Sequence, residues 1–203
     1  MLGAGNAATA WAQGTGADPH AGHTGSTVGT PTRVFHVDGL RVDAAAPPAG
    51  SGIGRAGATF PGGTYVHLVY GRPYARGRIV YGGLVAWNTP WVTGAHQATE
   101  LTTTGPLRIG GQTLAAGTYS LVTTPRPGRA WTLHLNRGLG GHLTDTHDPA
   151  LDVLTVEVTP DTLAAPVPAL TFRFEATGDG AVLSFAWDRL GFRVPIAAAP
   201  AVR

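Results

Sequence analysis

Trp131-Thr132-Leu133-His134-Leu135-Asn136 places Trp131, Leu133 and Leu135 on one side of an extended chain and Thr132, His134 and Asn136 on the other. A period of two residues over this length specifies a β-strand with one face turned to a core. Immediately upstream, 125–128 is Pro-Arg-Pro-Gly, a turn, and Gly117 opens Thr118-Tyr119-Ser120-Leu121-Val122-Thr123, a second strand. Leu107-Arg108-Ile109 and Gln112-Thr113-Leu114 flank Gly110-Gly111, which supplies the positive φ angles of a tight hairpin. The same kind of run recurs at Thr32-Arg33-Val34-Phe35-His36-Val37, at 64–70, 153–158, 170–174, 181–187 and 192–196. No helix is predicted. Short strands at regular spacing with turn signals predict an all-β, mostly antiparallel β-sandwich, with jelly-roll and immunoglobulin-like orders both open.

Composition narrows the chemistry. The 203 residues fit one domain, and the 30 Gly and 16 Pro agree with many turns. There is no Cys, which excludes disulfides, thiolate nucleophiles and cysteine-ligated metal. All 14 basic residues are Arg, so Schiff-base chemistry and a Walker phosphate loop are excluded as well. A formal net charge of +2 does not support nucleic-acid binding.

The N-terminal stretch is small and apolar, and Ala10-Trp11-Ala12 has the A-x-A form of a secretory cleavage site ahead of Gln13. Residues 1–31 therefore read as a signal remnant followed by a disordered Gly/Thr/His tail. His20 and His23 in Asp18-Pro19-His20-Ala21-Gly22-His23 offer at most a weak metal pair. Residues 32–63 read as one strand plus an Ala/Pro/Gly linker over 44–63, and 64–203 as the sandwich domain. No stretch approaches the length of a membrane span.

Several motifs fail on context. Gly52-Ile53-Gly54-Arg55-Ala56-Gly57 matches a dinucleotide fingerprint by letter, but Pro47-Pro48 precedes it and Pro61-Gly62 follows, so it reads as linker. None of the four serines sits in G-x-S-x-G, and the three glutamates exclude H-E-x-x-H.

From Tyr70 onward, Gly71-Arg72-Pro73, Arg76-Gly77-Arg78 and Tyr81-Gly82-Gly83-Leu84-Val85 resemble the opening signature of a bacterial family, domain of unknown function 2911. Trp91-Val92-Thr93-Gly94-Ala95-His96-Gln97-Ala98-Thr99 resembles its W-R-T-G-A-N-E-A-T block. The 109–121 segment, Trp131-Thr132, Leu135-Asn136, Asp148, Asp152-Val153-Leu154 and Trp187 continue the resemblance, over roughly 65–196. It implies a secreted or periplasmic β-domain and no enzyme activity. The chain departs from the pattern where Val92 replaces Arg, Gln97 replaces Glu and His96 replaces Asn. It departs again at His134, His142 and His147, which stand at aliphatic or aromatic positions.

The densest polar and aromatic chemistry is Arg72, Arg76, Arg78, Trp87, Trp91, Thr93, His96 and Gln97, where Arg offers a fork for an anion and Trp a flat face for a ring. Arg72, Arg78, Trp87, Trp91, Thr93, His96 and Gln97 are the candidate ligand-binding residues, whereas Arg126 and Arg129 read as exposed charges in a turn. His96, His134 and His142 are the candidate ligands of a divalent metal, zinc or copper, with Asp145 or His147 as a further ligand. The function expected first is a binding or interaction module for a small anionic or carbohydrate-like ligand, or for a protein partner. A His/Asp-dependent metal-binding hydrolase and an extracellular structural domain are the alternatives.

Overall fold

A computed structural model describes residues 32–37, 50–143, 145 and 147–200. The readings of residues 1–31 as a signal remnant and tail, and of 44–49 as linker, lie outside the described residues. The elements are β1 (Arg33–Val37), β2 (Gly52–Thr59), β3 (Tyr65–Arg72), β4 (Thr99–Thr103), β5 (Leu107–Ile109) and β6 (Gln112–Leu114). They continue with β7 (Gly117–Thr124), β8 (Trp131–Asn136), a 3-10 turn (Pro149–Leu151), β9 (Asp152–Val158), β10 (Asp161–Thr177) and β11 (Gly180–Ala198). Every ladder between named strands is antiparallel, and no α-helix occurs among the described residues.

Two sheets form, one of seven strands in the order β1-β2-β3-β4-β7-β8-β9 and one of four in the order β10-β11-β5-β6. They pack face to face, and the expected all-β sandwich is the observed fold. The core holds Trp131, Leu133 and Leu135 from β8 with Trp187, Phe172, Phe185 and Phe192 from the smaller sheet. The Gly110-Gly111 hairpin forms as expected, with both glycines at positive φ and Leu107 opposite Leu114. Pro166 and Pro168 fall within β10, which tolerates them because it is the edge of its sheet.

The linker expected over 44–63 is corrected for residues 52–59. They form β2, paired along its length with β3 and with β1 on the other side, and Ala56 and Ala58 are wholly buried. The small residues are there because aromatic rings lie across the strand. A Cβ on Gly54 would sit 2.2 Å from the Tyr70 ring, and one on Gly57 would sit 2.4 Å from the Phe35 ring. Low β-propensity is overridden by what must fit above it.

Candidate metal centre and its pocket

Alternation turns Thr132, His134 and Asn136 of β8 to the outer face of the large sheet, yet Thr132 and Asn136 are buried. Thr132 is covered by Arg126 and Glu157, and Asn136 by residues 137–143 with His147 and Asp148, which lie against β7 and β8 ahead of β9. Ser120 Oγ donates to Gly138 O at 2.6 Å and Gly138 N donates to Asn136 Oδ1 at 2.7 Å, fixing the start of this segment. Its end is held by Asp148, which caps the 3-10 turn by accepting from Ala150 N at 2.9 Å.

The ladder then contains one irregularity. Leu135 pairs with Leu154, but Asn136 pairs with Asp152 and not with Val153. An extra residue of this kind re-aims a side chain. Here it brings Asp152 to the outer face beside His134 and Asn136.

Three potential ligands converge as a result. His134 Nδ1 lies 2.9 Å and His147 Nε2 lies 3.2 Å from the same oxygen, Asp152 Oδ2. The three atoms all fall within 4.8 Å of one another. The side chains are 14%, 9% and 11% exposed, so little water competes for them. Supporting contacts orient two of the three. Asn136 Nδ2 donates to Asp152 Oδ1 at 2.8 Å and to Asp148 O at 2.8 Å, and Thr124 Oγ1 lies 3.1 Å from His134 Nε2. A hydrogen-bonded second ring nitrogen and second carboxylate oxygen are the usual outer shell of a metal ligand set. Tetrahedral zinc with bonds near 2.1 Å has ligand–ligand edges of about 3.4 Å, and octahedral coordination shortens them to about 3.0 Å. The two carboxylate–imidazole edges, 2.9 and 3.2 Å, are close to that range, and the imidazole–imidazole edge is within 4.8 Å. The His134/His147/Asp152 group could hold a metal ion.

His147 also forms part of the wall of a cavity of about 230 Å³. Its floor is Ser120, Val122 and Asn136, one wall is Pro90, Val92 and Ala98, and its roof comes from the covering segment, including His142, Asp145 and Asp148. The roof and the 91–99 loop are stitched together. Gln97 bridges His142, Ala98 N donates to Gly141 O at 2.7 Å, and Leu143 N donates to His96 O at 3.1 Å. The loop is held in unusual backbone. Thr93 and His96 have φ of 52° and 66°, and for β-branched Thr93 that conformation costs energy. Its buried hydroxyl contacts Thr123 Oγ1 at 2.8 Å, and its carbonyl accepts from Thr99 Oγ1 at 2.9 Å.

The candidate residues distribute as follows. His134 sits in the ligand group, but with His147 and Asp152. His142 instead lines the cavity roof, and His96 lines a neighbouring cavity of about 290 Å³ together with Gln97 and Glu100. Trp91 packs on Trp187 with ring centroids 5.8 Å apart and donates from Nε1 to Gly94 O at 3.1 Å, a core role. Arg78 clamps its own loop, donating to Ala75 O at 3.1 Å and Tyr74 O at 2.8 Å. Arg72 donates to the Tyr74 hydroxyl at 3.3 Å, and both Arg72 and Arg76 lie over the Tyr74 ring. Trp87 is half-buried, against Tyr81. Among the ligand-binding candidates, the structure joins His96 to Gln97 at one cavity and gathers Trp91 and Thr93 beside Thr123, while the Arg residues and Trp87 stand elsewhere. Asp152 is the group member that the residue pattern did not single out as a ligand, because a bulge and not a period delivers it.

No helix among the described residues is long and apolar enough to cross a membrane. No curated protein and no solved structure matches the chain. A family model described as protein of unknown function (DUF2911) matches residues 54–196, from within β2 through most of β11 and including every residue of the ligand group, and the chain belongs to that family.

Proposed function

We propose that this domain is a binding module that holds a divalent transition metal, zinc or copper, on His134, His147 and Asp152 and takes a small ligand in the adjoining cavity. One observation carries the proposal: two imidazole nitrogens and a carboxylate oxygen, each mostly buried, meet within 4.8 Å beside a cavity that His147 itself lines. Nitrogen and oxygen donors of this kind suit zinc and copper. An exported location, secreted or periplasmic, belongs to the same proposal and rests on Ala10-Trp11-Ala12. Protein recovered from the periplasm would then begin at Gln13.

The test is thermal unfolding of the full chain, stripped with chelator and carrying His20→Ala and His23→Ala to silence the N-terminal pair. Zinc at a hundredfold excess over its Kd should raise the Tm by about 5–10 °C. His147→Ala and Asp152→Asn should abolish the shift, and His96→Ala and His142→Ala should leave it. Absence of a shift at about 100 µM zinc or copper, a hundredfold over a micromolar Kd, would overturn the proposal.

A metal-dependent hydrolase is the second reading. It is favoured by three protein ligands beside an open cavity, the pattern of catalytic zinc, with the Asp145 and Asp148 carboxylates lining the same space. Zinc-dependent turnover of an activated ester that disappears with His147→Ala would select it over simple binding.

A further inference from the structure

The opposite end of β8 carries a different surface. The turn between β7 and β8, with Gly128 at φ 63°, folds Arg126 back on itself. Arg126 O accepts from Trp131 Nε1 at 3.0 Å, and Arg126 Nη1 donates to Ala130 O at 3.3 Å and to Thr132 Oγ1 at 2.8 Å. That guanidinium is held in a fixed place.

Beside it stands an aromatic wall. Trp87 stacks on Tyr81 at 5.7 Å and 27°, and meets Trp131 edge-on at 6.5 Å and 69°. Rings behind it hold Trp87 in position, while the indole also fronts a cavity of about 470 Å³ that Leu190 and Pro160 help to line. Arg129, exposed on the rim, makes no hydrogen bond, ion pair or ring contact with the described residues. No acidic residue lines this cavity. Two carboxylates lie close in the chain without lining it: Glu157 accepts from Thr132 Oγ1 at 2.7 Å, and Asp161 stands between the lining residues Pro160 and Thr162.

A flat indole, one fixed guanidinium, one free guanidinium and no counter-charge in the lining form a recognisable combination. An aromatic face selects a ring, and Arg forks select a carboxylate. We infer that this groove binds a small ring-bearing carboxylate, its ring against Trp87 and its carboxylate between Arg126 and Arg129. The ligand chemistry is shared by aromatic acids and by uronic-acid sugars. This site is independent of the proposed metal centre. None of the three ligand residues lines it, and Trp131 is about 17 Å along β8 from Asn136 at 3.4 Å per residue.

The experiment is calorimetric titration of the full chain with 4-hydroxybenzoate and with digalacturonate, against 4-hydroxybenzamide and digalactose as uncharged counterparts. One acid should bind with a Kd on the order of 1 mM or below, as a ligand of that size permits, and its uncharged counterpart should not. Arg129→Ala, at an exposed position that leaves the fold intact, should weaken binding by about tenfold or more. Trp87→Leu should weaken it too, with circular dichroism reporting retained structure. Arg193→Ala, at an exposed arginine of β11 that pairs with Glu175 and does not line the groove, should change nothing. Which acid binds identifies the source of the ligand. The inference is overturned if neither acid binds at about 10 mM, tenfold above the expected Kd. It is equally overturned if Arg129→Ala leaves the Kd unchanged, or if Arg193→Ala weakens binding as much.

Discussion

Asn136 stands opposite Asp152 in the β8–β9 ladder, one residue out of step with the neighbouring pair of Leu135 and Leu154. The Asn136 amide uses that position fully. It donates to Asp152 Oδ1 and Asp148 O and accepts from Gly138 N, joining two strands and the covering segment at one buried point. Asn136→Ala leaves buried acceptors and a backbone donor without partners, at about 1–3 kcal/mol for each such group. Urea denaturation should show a loss of about 2 kcal/mol or more. The zinc-induced Tm shift should shrink in the same variant, because Asp152 is no longer held in place.

Thr124 tests the outer shell separately from the ligands. Its hydroxyl lies 3.1 Å from His134 Nε2, the ring nitrogen that does not face Asp152. Thr124→Val keeps the shape and removes that contact. Losses of this kind cost about 10–100-fold in metal affinity. Calorimetric zinc titration should show a weakening of that order, and stability of the metal-free protein should fall far less than with Asn136→Ala. Zinc stabilisation of the unmodified chain should also diminish as the pH is lowered, since the ligands must shed protons to bind.

The strands of this sandwich are legible where side chains alternate, and illegible where they are absent. Trp131, Leu133 and Leu135 announce β8, and Gly110-Gly111 announces its hairpin. β2 hides because Gly54 and Gly57 carry no side chain to alternate, and their reason lies in rings from β3 and β1 that only the fold brings overhead. The ligand group divides in the same way. His134 is readable from its place on the polar side of β8, but Asp152 depends on the bulge, and pairing His147 with it depends on a tertiary contact between residues of the β8–β9 connection and β9.

The glycines of the 52–57 motif give a direct check on that account. A Cβ at Gly52 meets nothing within 4 Å, whereas one at Gly54 lands 2.2 Å from a Tyr70 ring that is itself buried against Phe172, with centroids 5.1 Å apart. Gly52→Ala should leave the melting temperature within about 2 °C of the parent, as surface substitutions do. Gly54→Ala forces overpacking and should cost about 1–3 kcal/mol. If both were neutral, β2 would not be a core strand beneath Tyr70.

Tyr81 makes the last prediction. Its ring is packed among Trp87, Trp131 and Trp187, and its hydroxyl is buried with no hydrogen-bond partner among the described residues. Burial first, and the negative charge of Asp188 second, push its ionisation well above the ordinary phenol range. Tyr81→Phe keeps the ring and removes an unsatisfied group, so at neutral pH it should be neutral or stabilising by up to about 1–3 kcal/mol. The pH dependence follows from the direction of the shift. A phenol whose ionisation is raised in the folded state contributes stability that is intact below its unfolded value, near pH 10, and is lost above it. The parent should therefore lose stability relative to Tyr81→Phe as the pH rises through about 10 and beyond. Paired denaturation curves from pH 8 to 11 measure this difference, in which the contributions of the other tyrosines cancel. A gap that stays constant across that range would mean that the Tyr81 hydroxyl reaches water or a partner in solution.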